Sequence, residues 1–286
     1  MTGRDALLAL VVVLTWGLNF SVIRIGLESF PPLLLTGLRF LGAALPVFFL
    51  ARPRVSWRLM MAVAALWFVG QFALLFSAMA TGMAPGIAAV LNHVQAPLTI
   101  LFALVIGERP TSRQFTGVGL ALAGLAGIAA SVDGDVTAIG FVLALGAASS
   151  WAAGNVLYKR VGPVDMTAMI VWLSLLAAIP SLALSLAVEG PERVVIAVAG
   201  AGLAGWLAVL YLAVLATFLA WWIWGSLLTR YPVSTVAPFA LLVPVLSAVC
   251  SAFVFGERFG PLRLAGMLAI VAGLAVIAWP ARRQAK

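Results

Sequence analysis

Residues 107–131 read GERPTSRQFTGVGLALAGLAGIAAS, and residues 256–280 read GERFGPLRLAGMLAIVAGLAVIAWP. Laid side by side without gaps, ten of the 25 positions are identical. Alanine and glycine matches carry little weight in so apolar a chain. The Gly-Glu-Arg at the head of both stretches does carry weight, and Gly117/Gly266, Gly124/Gly273 and Leu125/Leu274 continue the match. Self-similarity at a fixed offset marks a duplicated unit. Working outward, Trp57 falls on Trp206 at the same offset. Nearer the start of each half the offset shortens, so that Trp16 falls on Trp151 and Arg24 on Lys159. The added length lies around residues 188–202.

Each unit is made of long apolar runs. The chain has 286 residues, 64% of them hydrophobic and 9% charged. A water-exposed surface needs far more charge than that. About 20 apolar residues span a bilayer as a helix, and ten such runs fit: 6–27, 32–51, 57–80, 84–106, 114–131, 138–159, 166–187, 203–229, 233–255 and 262–280. They do not alternate as the strands of a membrane barrel would. Backbone groups in lipid must bond within their own segment, so these runs are helices. The first run lacks a small-residue cleavage site, continues through Thr15-Trp16-Gly17-Leu18-Asn19, and is expected to be retained as a helix.

The expected fold is therefore an all-α polytopic membrane protein with ten transmembrane helices. They form two five-helix repeats, residues 1–136 and 137–286, in one membrane domain. Five is odd, so the repeats insert with opposite orientation, the inverted-repeat plan of many secondary transporters. The net charge of +8 would suggest nucleic acid in a soluble protein, but here the bases sit in short gaps between apolar runs. With the N-terminus inside, the inner gaps hold 12 basic residues, from Arg4 to Lys286, including Arg282 and Arg283. The outer gaps hold four, Arg24, Arg193, Arg258 and Arg263, beside Asp133, Asp135, Glu189 and Glu192. The positive-inside rule then places both termini in the cytoplasm.

Trp16-Gly17-Leu18-Asn19-Phe20 in the first run, Arg39-Phe40 in the second, and Gly-Glu-Arg after the fourth and ninth resemble the drug/metabolite transporter superfamily in its ten-helix EamA branch. Within that branch the chain looks like the YddG-type aromatic amino acid exporters. The resemblance covers essentially the whole chain. It implies a bacterial inner-membrane carrier that exports neutral and aromatic amino acids by alternating access. The implied cavity lies among runs 1, 3, 4, 6, 8 and 9, with runs 5 and 10 packed together behind it. Small-residue stripes fit that packing: Gly119, Ala123, Gly127 and Ser131 on one helix, and Ala265, Ala269 and Gly273 on the other.

All nine acidic residues fall in gaps or near helix ends, so neither a carboxylate proton relay nor a charged cage for a polyvalent cation is expected. The single cysteine, Cys250, excludes an intrachain disulfide and a cysteine-built metal cluster. No metal, no cofactor and no catalytic residues are expected. The densest polar group is Asn92, His93 and Gln95, with Asn92, Gln95 and Thr99 on one helical face. His93 is the only histidine. Trp16 and Asn19, Trp151, Asn155 and Tyr158, Gln71, Phe72 and Phe76, and Tyr211 complete an expected substrate-binding set, with aromatic walls suited to apolar side chains. Span eight also holds Phe218, Trp221, Trp222 and Trp224, while Trp57, Trp206 and Trp279 read as interfacial anchors. Arg39 sits about 12 Å into its helix and reads as structural, either paired with Glu28 or snorkelling to the interface. Pro85, Pro97, Pro238 and Pro244 break spans four and nine, which suggests where the bundle opens. At the repeat offset Gln95 faces Pro244, so the breaks do not look strictly symmetric.

Other functions fit less well. There is no Walker lysine motif for an ATP engine. One histidine, one cysteine and no central carboxylate are a poor inventory for a lipid-acting enzyme. A structural subunit, or a carrier of other metabolites or drugs on the same fold, remains as an alternative. The expected partners are a small-molecule substrate and the lipid bilayer, with no nucleic acid. A complete inverted pair can form one pathway as a monomer.

Overall fold

A computed structural model describes residues 1–131 and 137–278. Asp133, Asp135, Trp279, Arg282, Arg283 and Lys286 lie outside the described residues, as does the end of the last expected span. The residue 136/137 boundary falls at the edge of the undescribed stretch.

Among the described residues, ten helices are long and apolar enough to cross a membrane. They are α1 Gly3–Ser29, α2 Pro32–Phe49, α3 Trp57–Ala80, α4 Pro85–Val105, α5 Ser112–Ala130, α6 Ala138–Tyr158, α7 Met166–Glu189, α8 Leu203–Arg230, α9 Thr235–Phe255 and α10 Pro261–Ala278. Polar residues at their starts take up backbone N–H groups that have no partner inside the helix. Thr2, Ser56, Thr137 and Asp165 accept from amides of α1, α3, α6 and α7, and Thr111 and Gln114 form a reciprocal capping box on α5. The α2 start has only Pro31 and Pro32. There Glu189, from the end of α7, accepts from the amides of Leu33 (2.7 Å) and Leu34 (3.0 Å).

The lengthened gap around residues 188–202 holds an extra helix, Pro191–Gly200. Its Val195 and Ile196 are exposed, and at ten residues it is too short to cross a bilayer.

Packing follows the duplication. α1 packs on α8 and α9, as α6 packs on α3 and α4; α2 meets α8, as α7 meets α3. The pairs α2 with α7, α4 with α9, and α5 with α10 complete the bundle. Exchanging the halves (α1 with α6, α2 with α7, and so on) maps these contacts onto themselves, as two-fold-related repeats require.

The expected stripes on α5 and α10 need correction. Gly119, Ala123 and Ala265 are exposed, and Gly119 has open space where a side chain would be. The close approach uses the neighbouring face. A Cβ on Gly124 would lie 2.5 Å from the Gly266 carbonyl oxygen, and one on Gly117 would lie 2.7 Å from that of Gly273. Ala269 meets Gly124, and Gly127 lies beside Gly266 at the edge of the contact. On the face in contact the glycines recur after seven residues, Gly117 and Gly124 on α5 and Gly266 and Gly273 on α10, and the contacting helix decides which small-residue face is used.

Three helices carry wider π turns, over Ala65–Gly70 in α3, Tyr211–Leu219 in α8 and Ser185–Glu189 in α7. A π turn leaves a carbonyl outside the regular ladder. In α3 the Ser150 hydroxyl donates to the Leu66 carbonyl (2.7 Å), and in α8 the Trp16 indole N–H donates to that of Ala216 (3.0 Å). Each donor comes from the other half of the chain.

The prolines sort into two roles. Pro85 occupies the first helical position of α4, where a missing N–H leaves no bond unmade, so it starts the helix and does not break it. The real interruptions are at Val94 in α4 and Leu241 in α9, each followed three residues later by proline, Pro97 and Pro244. Pro238 lies in the turn just before the second interruption. The breaks therefore do correspond. The stretch from the break to Gly-Glu-Arg is two residues longer in the second half, which hid the match at the fixed offset.

Candidate functional site

A cavity of about 270 Å³ opens among α1, α2, α3, α4, α6, α8 and α9. Of the expected residues, it is lined by Trp16, Asn19, Gln71, Phe72, Asn92, His93, Gln95 and Trp151. Arg39, Trp221, Trp224 and Ala240 join them.

Four expected residues sit elsewhere. Phe76 is fully buried against Phe72. Asn155 is spent between helices: its side-chain oxygen accepts from the Trp67 indole (2.9 Å), and its nitrogen donates to Gln95 (2.8 Å) and Thr99 (3.0 Å). Tyr158 stacks on Trp67 at 4.4 Å, and the Tyr211 hydroxyl donates to the Thr15 carbonyl at 2.7 Å. The polar face of α4 thus does both jobs. Gln95 and Thr99 tie α4 to α6, Asn92 accepts from Gln71 (2.7 Å), and Asn92 and Gln95 still reach the cavity.

The aromatic floor is richer than the sequence suggested. Trp67 stacks on Trp151 at 5.4 Å, Trp151 on Trp221 at 6.2 Å, and Trp16 meets Trp221 and Trp224 at 5.5 and 5.3 Å. Trp67 lies against the backbone of Gly154, where no side chain would fit. With Tyr158 these rings form one aromatic cluster, four of whose members, Trp16, Trp151, Trp221 and Trp224, line the cavity. At the helix ends on the side bearing the N-terminus, two ion pairs join the halves of the chain: Lys159 with Glu108 (2.6 Å) and Arg230 with Asp5 (2.7 Å). Trp57 and Trp206 are partly exposed as anchors should be; Trp57 also packs on Trp172 and under Arg52, and Trp206 on Phe30.

Arg39 is the least expected member. It is 3% exposed. Glu28 is not its partner. Its Nε donates to Thr217 (2.9 Å), and its guanidinium carbon lies 4.1 Å from the Phe72 ring centre. The Nη1 nitrogen has no hydrogen bond, and neither have the side-chain oxygens of Asn19 and Gln71. Buried polar atoms are nearly always paired, and these three, all on residues that line the cavity, are not. The sequence held a signal for this: an arginine deep in an apolar run, in a chain with no acidic residue at matching depth.

His93 bonds through Nδ1 to the Ala89 carbonyl (2.8 Å). A carbonyl only accepts, so Nδ1 carries the proton and a neutral ring keeps Nε2 as an acceptor. Among the described residues, no group of three or more His, Cys, Asp or Glu could hold a metal ion.

The sequence matches the EamA-like transporter family over residues 4–130 and again over 138–279. This chain belongs to that family. The double match is the duplication read from Gly-Glu-Arg, and it makes the chain a multi-pass membrane transporter, not an enzyme. Two relatives share the printed name "Probable amino-acid metabolite efflux pump". One, from Salmonella typhimurium, is 43% identical over 96% of this chain and 94% of its own length. The other, from Escherichia coli, is 39% identical with the same coverage. A crystal structure of a protein 22% identical superposes with a TM-score of 0.66 over 99% of this chain and all of the other, and shares the fold.

Proposed function

We propose that the protein exports neutral and aromatic amino acids across a bacterial inner membrane, with both termini in the cytoplasm and the repeats 1–136 and 137–286 rocking about the central cavity. The observation that carries this reading is Arg39. A buried guanidinium with a free N–H and no carboxylate beside it is a poor structural element and a good receptor for a carboxylate. Around it stand tryptophan and phenylalanine rings, which suit an apolar or aromatic side chain. The cavity volume of about 270 Å³ lies near the low end of small-molecule sites, as a single amino acid requires. A cationic drug would face the Arg39 charge with no acid to offset it. The names carried by the Salmonella and Escherichia coli relatives speak of amino-acid metabolites, which supports the broader class to which these substrates belong.

The test is flux into liposomes holding the purified protein, with labelled phenylalanine, threonine, glutamate and a nucleotide sugar run in parallel. Phenylalanine and threonine should move faster than in empty liposomes. Arg39→Leu should weaken phenylalanine binding by about 30-fold or more, the effect of removing one partner of a buried charge pair, while the variant still elutes as a folded protein. Flux of the nucleotide sugar without neutral amino acid flux would overturn the substrate class and leave the family intact.

A further inference from the structure

Arg39 accounts for one end of an amino acid. The other end is a primary ammonium with three N–H donors and needs oxygen or nitrogen acceptors at membrane depth. The broken helices supply them. In a regular helix the carbonyl of residue i accepts from the amide of residue i+4. Residue 97 is proline and has no amide, so the His93 carbonyl lacks that bond; residue 244 is proline, so the Ala240 carbonyl lacks it too. His93 and Ala240 both line the cavity, on helices that pack against each other. They flank corresponding interruptions, at Val94 and Leu241. A third acceptor sits on the same residue as the first. His93 donates from Nδ1 to Ala89, and this leaves Nε2 with a lone pair.

We propose that the carbonyls of His93 and Ala240, freed by Pro97 and Pro244, together with His93 Nε2, form the subsite for the substrate's ammonium group. The assignment rests on the proposed amino acid substrate and gives that substrate a polarity, with carboxylate at Arg39 and ammonium at the helix breaks. Unwound carbonyls in discontinuous membrane helices take up cations in this way. Repeat symmetry adds a consequence. The exchange that maps α4 onto α9 also maps one carbonyl onto the other, so the subsite lies by the pseudo-two-fold axis. An ammonium bound there keeps its partners as access passes from one side to the other.

The experiment deletes each end of the ligand against each end of the site. Purified protein in detergent is titrated with L-phenylalanine, with 3-phenylpropionate, which lacks the ammonium, and with phenethylamine, which lacks the carboxylate. Pro97→Ala and Pro244→Ala return an amide to each freed carbonyl. Each should weaken L-phenylalanine and phenethylamine by about tenfold, as a lost charge-assisted hydrogen bond does, and leave 3-phenylpropionate unchanged. Arg39→Leu should do the reverse, weakening L-phenylalanine and 3-phenylpropionate and sparing phenethylamine. Equal losses for all three ligands in the proline variants would make the prolines structural hinges and overturn the ammonium subsite. So would unchanged phenethylamine binding, or binding that needs sodium. If the wild-type protein binds none of the three ligands, the amino acid reading itself fails, an outcome distinct from loss of the subsite alone.

Discussion

At the scale of single residues, Trp67 and Asn155 show how much of the interior depends on one bond. Trp67 is 5% exposed, stacked between Trp151 and Tyr158, and its indole N–H has Asn155 as acceptor. Asn155→Leu would leave that donor buried and unpaired and strip Gln95 and Thr99 of their partner. The expected loss is roughly 1–3 kcal/mol, the desolvation cost of an orphaned group, and should appear as a lower melting temperature in detergent. Tyr158→Phe is the control. Its hydroxyl makes only a 3.7 Å contact to the Met166 sulfur, so the ring stack survives and the change should stay within about 0.5 kcal/mol. Equal destabilisation by both would mean that stacking geometry, not the hydrogen bond, fixes Trp67. The sequence did not single out Trp67, and for a physical reason. A tryptophan in the run Ala64-Ala65-Leu66-Trp67-Phe68-Val69 looks like one more apolar residue, and its partner Asn155 is 88 positions away. Asn155, in turn, was legible as a polar group in an apolar helix, but its bonds to α3 and α4 decide that it faces helices instead of the cavity.

At the scale of helices, the sequence was legible wherever period and length decide. All ten spans fall within a few residues of their expected positions. It was less legible wherever phase decides. The π turn over Tyr211–Leu219 inserts residues into the regular ladder, and each extra residue rotates the remainder of the helix by about 100°. Counting faces at 3.6 residues from Tyr211 therefore misplaces Trp221 and Trp224, which line the cavity while Tyr211 bonds to α1. The α5–α10 contact makes the same point, since two small-residue faces were available and only one is used. Gly124→Leu would drive a side chain into the Gly266 backbone, 2.5 Å from a Cβ at that position. Backbone cannot step aside, so overpacking of about 1–3 kcal/mol or more is expected. Gly119→Leu meets open space and should melt within about 0.5 kcal/mol of the parent. Thermal unfolding of the two variants side by side checks the face, and equal destabilisation would show that α5 and α10 meet over a wider arc.

At the scale of the whole molecule, the two ion pairs lie at helix ends on the side bearing the N-terminus, and the alternating access proposed above would require them to part. Asp5 holds Arg230, the Tyr231 hydroxyl and the Thr2 hydroxyl, each at 2.7 Å. Glu108 holds Lys159 with both oxygens, at 2.6 and 2.7 Å. Each pair joins one half of the chain to the other, Arg230 to Asp5 across 225 positions. No local pattern in the sequence could have revealed either. The Lys159–Glu108 pair is about half exposed on both sides. An exposed pair contributes roughly 0.2–1 kcal/mol, so Glu108→Gln should move the open-to-closed ratio on this side by about 1.4- to 5-fold. High salt should mimic it, because screening weakens exposed charges. Asp5→Asn should move the ratio further and resist salt, since the Asp5 side chain is only 8% exposed. The measurement is a spin-label distance distribution between cysteines replacing Arg4 and Arg160, two exposed residues on this side, with Cys250→Ser as background. In the double variant Asp5→Asn, Glu108→Gln the longer distance should gain population, and saturating L-phenylalanine should then redistribute it. An unchanged distribution would show that the ion pairs accompany closure without causing it. Closure would then rest on the ring stack about Trp67, and Trp67→Ala would be the change that lengthens the distance.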